Sequence, residues 1–302
     1  MTITETLDLA IKMREVGTTE GAYVTTQNGK TISRATYMTN EEWEAFLAGM
    51  SPLARREYEE GSGDELCEKG GRPPKMASYG SSSRMLYNLS YDREGFHFEK
   101  KLPTTVGGVA NIDGFCEDEE GYSFVEAKCH EMYSAKRASV SKAYAPLYSY
   151  INEKMGNALQ IKCEESSCGR YLNVDFYVQG EKIERFDLKQ MICHLLGIAT
   201  GMLNGELEIK QVSFEYLVYD PQSLEIQGKH GEKIIEIFEK TADECLSIDF
   251  NTLFSVVLDF LIEKKFPNAI TEEEYDIITS KFTFLLLTHE FYAYMMGKMG
   301  DD

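Results

Sequence analysis

Two neighbouring segments of the sequence carry side chains that could act together on a phosphate ester. The segment 110–115 contains Asp113, and the segment 122–129 contains Glu126 and Lys128. Side chains on a β-strand alternate between its faces, so Glu126 and Lys128 point the same way if their segment is a strand. Two carboxylates that converge beside one ammonium could hold a divalent cation against a phosphate group.

The same residues also have a purely structural interpretation. Lys128 could form an ion pair with Glu126 or Asp113 at the edge of a sheet. Charged side chains on an otherwise apolar strand cost free energy when they are buried without partners, so some pairing is expected in either case. The spacing of these residues alone leaves the two interpretations open.

The elements that would position these residues can be predicted from local patterns. The acidic stretch 117–121 is typical of a turn, so the two segments form a hairpin. A helix capped at 81–83 precedes three strands, which are predicted near 95–102, 109–116 and 122–129. An apolar helix follows from 187, and the β-rich run 211–219 predicts one more strand. The predicted order is therefore helix, three strands, helix, strand.

An Asp…Glu-x-Lys set on adjacent strands, in this order of elements, resembles the PD-(D/E)xK nuclease superfamily. The chain is most similar to a bacterial, restriction-endonuclease-like family within it. Further short motifs in matching order are found at 61–66, 81–83, 98–99, 102–103, 110–113, 126–128 with Glu131, and 188–190 with His194 and Gly197. The resemblance covers about residues 60–220. Ile112 precedes Asp113, so the nominal Pro-Asp pair is absent.

The resemblance implies an α/β fold with a restriction-endonuclease-like αβββαβ core around a central mixed sheet. We expect one domain over residues 1–302, with an N-terminal helical addition at 1–60, the core at 61–220 and a helical C-terminal addition at 221–302. Helices in the C-terminal addition are predicted at 231–245, 251–264 and 271–296. No Pro/Gly/Ser-rich linker separates this addition, so it should pack on the core.

The implied function is metal-dependent hydrolysis of phosphodiester bonds in nucleic acid, with DNA as the expected substrate, in restriction, defence or repair. The acidic residues implied as metal ligands are Asp113, Glu126, Glu99 and Glu65, and the carbonyl of Ala127 could add a further ligand. Such hard oxygen ligands suit Mg²⁺ or Mn²⁺. From the residues alone, Glu65 and Glu99 are more often solvated charges than metal ligands.

The implied catalytic set is Asp113, Glu126, Lys128 and Gln190. Lys128 would position or deprotonate the attacking water, and Gln190 would contact that water or a phosphate. His194 is predicted to be a core histidine, because it lies on an apolar helix. Substituting Asp113 or Lys128 by alanine is expected to leave the protein folded.

The net charge of −19 is unevenly distributed along the chain. Residues 69–142 contain 11 Lys or Arg against 10 Asp or Glu, whereas residues 200–302 contain 8 against 20. Charges farther away than about 10 Å are screened, so a local basic surface could still bind nucleic acid. The candidate phosphate contacts are the cations Arg84, Lys100, Lys101, Lys136 and Arg137.

The acidity also keeps two other functions open: an acidic DNA mimic or protein-binding module, and a catalytically inactive nuclease fold. The odd number of cysteines, seven, favours reduced thiols, and we expect a cytoplasmic protein without a membrane partner. A homodimer is left open. Substrate form, cleavage specificity and endonuclease versus exonuclease action are not determined by the sequence.

Overall fold

The structure is a computed structural model that describes residues 1–61, 65–119, 121–134, 137–167, 169–226 and 228–295. Ten helices lie within these ranges: α1 Ile3–Val16, α2 Asn40–Gly49, α3 Pro52–Glu60, α4 Ser82–Ser90, α5 Ala145–Met155, α6 Leu188–Leu203, α7 Lys229–Leu246, α8 Phe250–Lys264, α9 Glu272–Ser280 and α10 His289–Met295. The described strands are β1 Tyr23–Gln27, β2 Lys30–Arg34, β3 Phe96–Pro103, β4 Val109–Glu117, β5 Gly121–Lys128, β6 Ala138–Ser141, β7 Gln160–Glu165, β8 Tyr171–Val178, β9 Glu181–Lys182, β10 Gln211–Val218 and β11 Phe282–Thr288.

The central sheet has five strands in the order β11-β10-β5-β4-β3. The pairs β3–β4 and β4–β5 are antiparallel, whereas β5–β10 and β10–β11 are parallel. The expectation of an α/β protein with a central mixed sheet is thus confirmed. The elements α4, β3, β4, β5, α6 and β10 also follow one another along the chain in the predicted order.

The strand β5 lies in the middle of this sheet and is buried along almost its whole length. A strand that is covered on both faces is apolar without alternation, which explains the run of Phe124, Val125 and Ala127. The helix α6 packs against β3 and β4. A Cβ on Gly197 of α6 would lie 2.6 Å from the Cβ of Ala110, so glycine permits this close approach to β4.

The chain between β5 and α6 builds a second, smaller sheet that the sequence analysis did not predict. Its strands lie in the order β6-β8-β7, and β9 pairs with β8. The helix α5 packs on β7 and also contacts α8 of the C-terminal region. The predicted order of elements is therefore interrupted by an insertion of α5 and four strands.

The helix predicted at 271–296 is wrong over its central part. The structure has α9, then β11, then α10 in this region, and residue 296 lies outside the described residues. The strand β11 pairs in parallel with β10, from Val212 opposite Phe282 to Val218 opposite Thr288. The run Phe-Thr-Phe-Leu-Leu-Leu-Thr is compatible with a helix or a strand when it is considered alone. It forms a strand because it pairs with β10. The helices predicted at 231–245 and 251–264 are confirmed as α7 and α8.

The N-terminal region contains a hairpin in addition to its three helices. Strands β1 and β2 are joined by Asn28 and Gly29, which have φ angles of 51° and 74°. Two consecutive residues with positive φ form the type I′ turn that matches the twist of a hairpin. The first helix, α1, begins with a capping box of Thr2 and Glu5 and contacts α7.

Within the described ranges, no single helix combines the length and the apolar composition needed to cross a membrane. The helices α7 and α8 meet those criteria only when they are taken together across a bend of 54°.

Candidate active site

A cleft of about 450 Å³ opens where β4 and β5 separate near the N-terminal end of α6. It brings together all the residues predicted as catalytic or metal-binding, namely Glu65, Glu99, Asp113, Glu126, Lys128 and Gln190. These residues come from several elements, with Glu126 and Lys128 sharing β5, and span more than 120 positions of the chain. Their convergence is a property of the tertiary structure.

Asp113 lies where the pairing of β4 with β5 ends. The last pair in register is Gly114 opposite Val125, and beyond it Asp113 Oδ2 accepts a hydrogen bond of 2.9 Å from the Ala127 N–H. A strand residue directs its N–H and C=O to the same side, so the Ala127 carbonyl also points towards Asp113. Asp113 and Glu126 thus lie on adjacent strands, as the hairpin predicts.

Glu126 is fully buried, and both of its oxygens approach nitrogen atoms. Oε1 accepts a hydrogen bond from Lys128 Nζ, and Oε2 lies 2.9 Å from Nε2 of His194, without hydrogen-bond alignment. Burial alone would raise the pKa of Glu126, but the charge of Lys128 and the nearby His194 lower it to about 2. The carboxylate is therefore held in its ionised form at neutral pH.

Lys128 connects the two strands to the start of α6. Its Nζ donates a hydrogen bond of 2.9 Å to Gln190 Oε1, in addition to the one that Glu126 accepts. Gln190 is held in turn by Asp187, which caps α6 and accepts the Gln190 N–H at 3.0 Å. Burial lowers the pKa of Lys128, but Glu126 and Asp113 outweigh it and raise the pKa well above its usual value.

The two carboxylates respond to this environment in opposite directions. Burial and the charge of Glu126 raise the pKa of Asp113 well above its usual value, although Lys128 and the Ala127 N–H oppose this. In active sites, neighbouring carboxyl groups often have pKa values that are shifted in opposite directions. One group then stays ionised and can bind a metal, and the other can carry a proton. A divalent cation between the carboxylates would relieve their mutual repulsion.

The oxygen donors of the cleft suit Mg²⁺ or Mn²⁺, which keep several water ligands, better than they suit a metal that is coordinated by protein side chains alone. In the part of the chain that the structure describes, no three His, Cys, Asp or Glu side chains cluster as a metal site. Mg²⁺ is usually bound by one or two carboxylates, with water and substrate phosphates completing the octahedron. Asp113 and Glu126, together with the Ala127 carbonyl, offer such a set; Glu126 Oε2 has no aligned hydrogen bond among the described residues, although His194 Nε2 lies 2.9 Å from it.

Glu65 and Glu99 line the cleft in different ways. Glu65 is buried and forms an ion pair of 3.0 Å with Lys75, so part of its charge is already neutralised. Glu99 lies on β3 between the pairs Phe98–Gly114 and Lys100–Ile112, which places it opposite Asp113. Its φ of 57° is rare for a residue other than glycine, and such strain in a strand often marks a functional position.

The structure contradicts part of the predicted phosphate-binding surface. Arg84 is buried and pairs with both oxygens of Glu15, at 2.6 and 3.1 Å, so it ties α4 to α1 instead of facing solvent. Arg137 is exposed but forms ion pairs with Glu164 and Asp175. The apolar pattern around Arg84 gave no warning of its burial, because its partner is 69 positions away.

The other predicted cations do not line the cleft directly. Lys100 lies 4.9 Å from the ring centre of Phe115, and Lys101 donates a hydrogen bond to the Glu60 carbonyl at 2.6 Å. Lys136 lies outside the described residues. Two lysines of the described chain pair with carboxylates of the cleft: Lys128 with Glu126, and Lys75 with Glu65.

A second, larger cleft of about 880 Å³ continues from the first one. The two clefts share Lys128, His130, Glu131 and Gln190. Its far wall comes from the inserted sheet and the segment 182–189, which the sequence analysis did not connect to the site. His130 was also missed, although its position two residues after Lys128 is a signal that it could share the same face of the chain.

Comparisons of the chain with protein-family models, with curated proteins and with solved structures found no match. The chemistry of the cleft must therefore be inferred from its own residues. Two carboxylates on adjacent strands, a buried ammonium and a glutamine amide form an arrangement that can bind a divalent cation and contact an anionic substrate.

Proposed function

We propose that the protein is a metal-dependent nuclease of the PD-(D/E)xK type that hydrolyses phosphodiester bonds, with DNA as the expected substrate. The observation that carries the proposal is the convergence of Asp113, Glu126 and Lys128 on one cleft, with Gln190 bound to the lysine. The order α4-β3-β4-β5-α6-β10 supports a restriction-endonuclease-like core. An insertion before α6 and the added strand β11 would then be features of this chain.

Asp113, Glu126 and the Ala127 carbonyl would hold Mg²⁺ or Mn²⁺, with Glu99 close enough in register to assist. When bound, the ion would lower the pKa of a water molecule and neutralise charge on the phosphate. Lys128 would donate hydrogen bonds to the attacking water or to the phosphate oxygens. By analogy with donors that stabilise oxyanions, this contact would contribute about 2–4 kcal/mol to transition-state binding.

Gln190 would keep the lysine in place while the substrate binds. Its side-chain oxygen accepts from Lys128 Nζ, and the backbone of Gln190 is fixed by the Asp187 cap. A second hydrogen bond, to Glu126, restrains the same ammonium. A lysine held at two points loses little freedom on binding the substrate, so more of its interaction energy is available in the transition state.

The burial of the site distinguishes this proposal from an acidic DNA mimic. A mimic presents its carboxylates to a basic partner, whereas Glu126 is fully buried and paired with Lys128. Burying a carboxylate and an ammonium together is costly, and the pair alone is weak as a source of stability. A site that must hold a metal and a phosphate gives a reason to retain both charges.

Metal binding and cleavage can be tested on the same variants. We expect the wild-type protein to bind Mn²⁺ stoichiometrically in titration calorimetry and Asp113→Ala to lose this binding. Lys128→Met should keep metal binding but cut nucleic acid about 30- to 1,000-fold more slowly, which corresponds to about 2–4 kcal/mol. Glu119→Ala, in the exposed turn between β4 and β5, is the matched control and should change neither property.

The substrates are single- and double-stranded DNA, RNA and branched DNA. Stoichiometric Mn²⁺ binding without cleavage of any of them would favour an inactive nuclease fold. A wild-type protein that neither binds Mn²⁺ nor cuts would favour the acidic binding module. Equal cleavage by wild type and Lys128→Met would refute the role given to the lysine.

A further inference from the structure

A histidine and an aspartate from distant parts of the chain meet at the edge of the cleft. His130 follows β5 by two residues, and its Nδ1 lies 3.2 Å from Oδ1 of Asp8 on α1. The Asp8 side chain is 8% exposed, whereas the His130 side chain is 34% exposed. One edge of the imidazole is therefore held against a buried carboxylate, while His130 also lines both clefts.

Gly80 makes room for this contact. A Cβ at this position would lie 1.8 Å from Asp8 Oδ1 and 2.6 Å from His130 Nδ1, which is far inside van der Waals contact. Three separate segments, on α1, before α4 and after β5, are thus fitted around one hydrogen bond. The carboxylate fixes the orientation of the ring, in the same way that carboxylates orient catalytic or metal-binding histidines.

We propose that His130, oriented by Asp8, is a catalytic acid that donates a proton from Nε2 to the leaving oxygen of the scissile phosphodiester. The inference rests on the nuclease function proposed above. His130 lines the same two clefts as Lys128, so both side chains border the space in which a phosphate would bind. With Nδ1 directed at Asp8, Nε2 is the ring nitrogen left for the substrate.

The charge around His130 favours the protonated ring that this role needs. Burial lowers the pKa of His130, but the Asp8 hydrogen bond and the charge of Glu131 outweigh it and raise the pKa above its ordinary value. Glu131 itself accepts hydrogen bonds from the Cys129 N–H and the Ser82 hydroxyl, both at 2.8 Å. These contacts hold the Glu131 carboxylate in place beside the histidine.

The proposed step is balanced without any further reagent. The water oxygen forms a bond to phosphorus and releases its proton to solvent. The bond between phosphorus and the leaving oxygen breaks, and its electron pair stays on that oxygen, which takes the proton from His130 Nε2. The imidazole then regains a proton from solvent, so one water is consumed and one ester bond is cleaved.

The test compares leaving atoms that need a proton with leaving atoms that do not. The substrates are an oligonucleotide that the wild type cuts and matched oligonucleotides with sulfur in the 3′- or 5′-bridging position at the cut. A thiolate leaves without protonation. We expect His130→Gln to lower kcat on the oxygen substrate about 100-fold with little change in KM, and to cut the substrate with the sulfur leaving atom within about threefold of wild type.

Asp8→Asn tests the orienting carboxylate. It should lower kcat less than His130→Gln does and move the alkaline limb of the kcat/KM profile to lower pH, because the histidine loses its anionic partner. The matched control is His97→Gln, which removes another imidazole paired with a carboxylate, Glu57 at 2.7 Å, outside the lining of both clefts. That variant should behave as wild type on all substrates.

The outcomes distinguish a catalytic acid at position 130 from a residue that binds substrate or supports the fold. Equal losses on oxygen and sulfur substrates in His130→Gln would overturn the proposal, because the residue would then bind substrate or support the fold. Unchanged cleavage of the oxygen substrate would overturn it as well. If the wild type cuts no substrate but Mn²⁺ binds, the nuclease proposal itself fails and the inference falls with it. Lys128→Met is the comparison: it should slow cleavage of both the oxygen and the sulfur substrate. That result would show that the nuclease site acts through Lys128 whichever atom leaves.

Discussion

Removing the lysine of the candidate site should destabilise the fold, contrary to the expectation from the sequence alone. Lys128 is the cation nearest to the fully buried Glu126, whose pKa is lowered from 4.5 to about 2. At about 1.4 kcal/mol per pKa unit, this shift corresponds to about 3 kcal/mol. Breaking a buried ion pair by removing one partner costs a similar amount. We therefore expect Lys128→Met to lower the free energy of unfolding by about 3 kcal/mol at pH 7 without metal.

Urea unfolding gives a direct measurement, because the sole tryptophan, Trp43, is buried and reports on the fold. The control is Lys142→Met, which removes an exposed lysine paired with Glu165 at 2.7 Å. An exposed pair contributes little, so this variant should stay within about 0.5 kcal/mol of wild type. The double variant Glu126→Gln/Lys128→Met should recover most of the loss, because no unpaired buried charge remains.

Metal and pH extend the same test. Mg²⁺ at 100 times its dissociation constant should stabilise wild type by about 2.7 kcal/mol and Asp113→Ala by much less. The Glu126 pKa is lowered, so its contribution is present above about pH 4.5 and is lost as the pH falls towards 2. Lys128→Met should lack this decline. A Lys128→Met protein as stable as wild type at pH 7, or a double variant less stable than the single one, would refute the reasoning.

Two further predictions concern residues outside the cleft. The Glu244 carboxylate accepts the backbone N–H groups of residues 184, 185 and 186 at 2.7–3.0 Å and so anchors the wall of the larger cleft. Glu244→Ala should lower the free energy of unfolding, measured in urea, by about 3 kcal/mol, because three backbone N–H groups lose their acceptor. The control Glu236→Ala, on the exposed face of the same helix, should leave it unchanged. Equal effects of the two substitutions would contradict this prediction. Burial and Arg14 lower the pKa of His289 from 6.5 to about 4, so the unfolded chain takes up a proton first and stability falls as the pH drops from about 6.5 to 4. Relative to wild type, His289→Gln should remove about 3 kcal/mol of that decline, and the exposed His230→Gln should retain it.

Local patterns were sufficient for much of the sheet that carries the site. Alternating and β-branched runs predicted β3, β4, β5 and β10, and an apolar helical period predicted α6. The Asn28-Gly29 pair that joins β1 and β2 is likewise a local signal, because this pair is typical of tight hairpins. Each of these signals is contained in about ten residues.

The inserted sheet shows where local patterns were insufficient. The last four residues of β7 are exposed and β9 has only two residues, so these two strands carry weak apolar signals. The strand β8 does alternate, with Leu172, Val174, Phe176 and Val178 buried, but an isolated alternating segment does not reveal its pairing partners. All three strands are held by pairing with one another and by α5. Arg137, which the sequence predicted to contact phosphate, instead pairs with Glu164 and Asp175 of this sheet.

The sequence by itself determined which residues could do chemistry, because the types and spacing of Asp113, Glu126 and Lys128 follow from two short strands and one turn. Only the tertiary structure decided that Glu126 is fully buried, that Arg84 pairs internally and that β11 completes the sheet. It alone brings Asp8 to His130 across 122 positions of the chain. Strand period and turn chemistry are local, whereas burial, ion pairing and parallel strand pairing depend on contacts between segments whose separation no local pattern records.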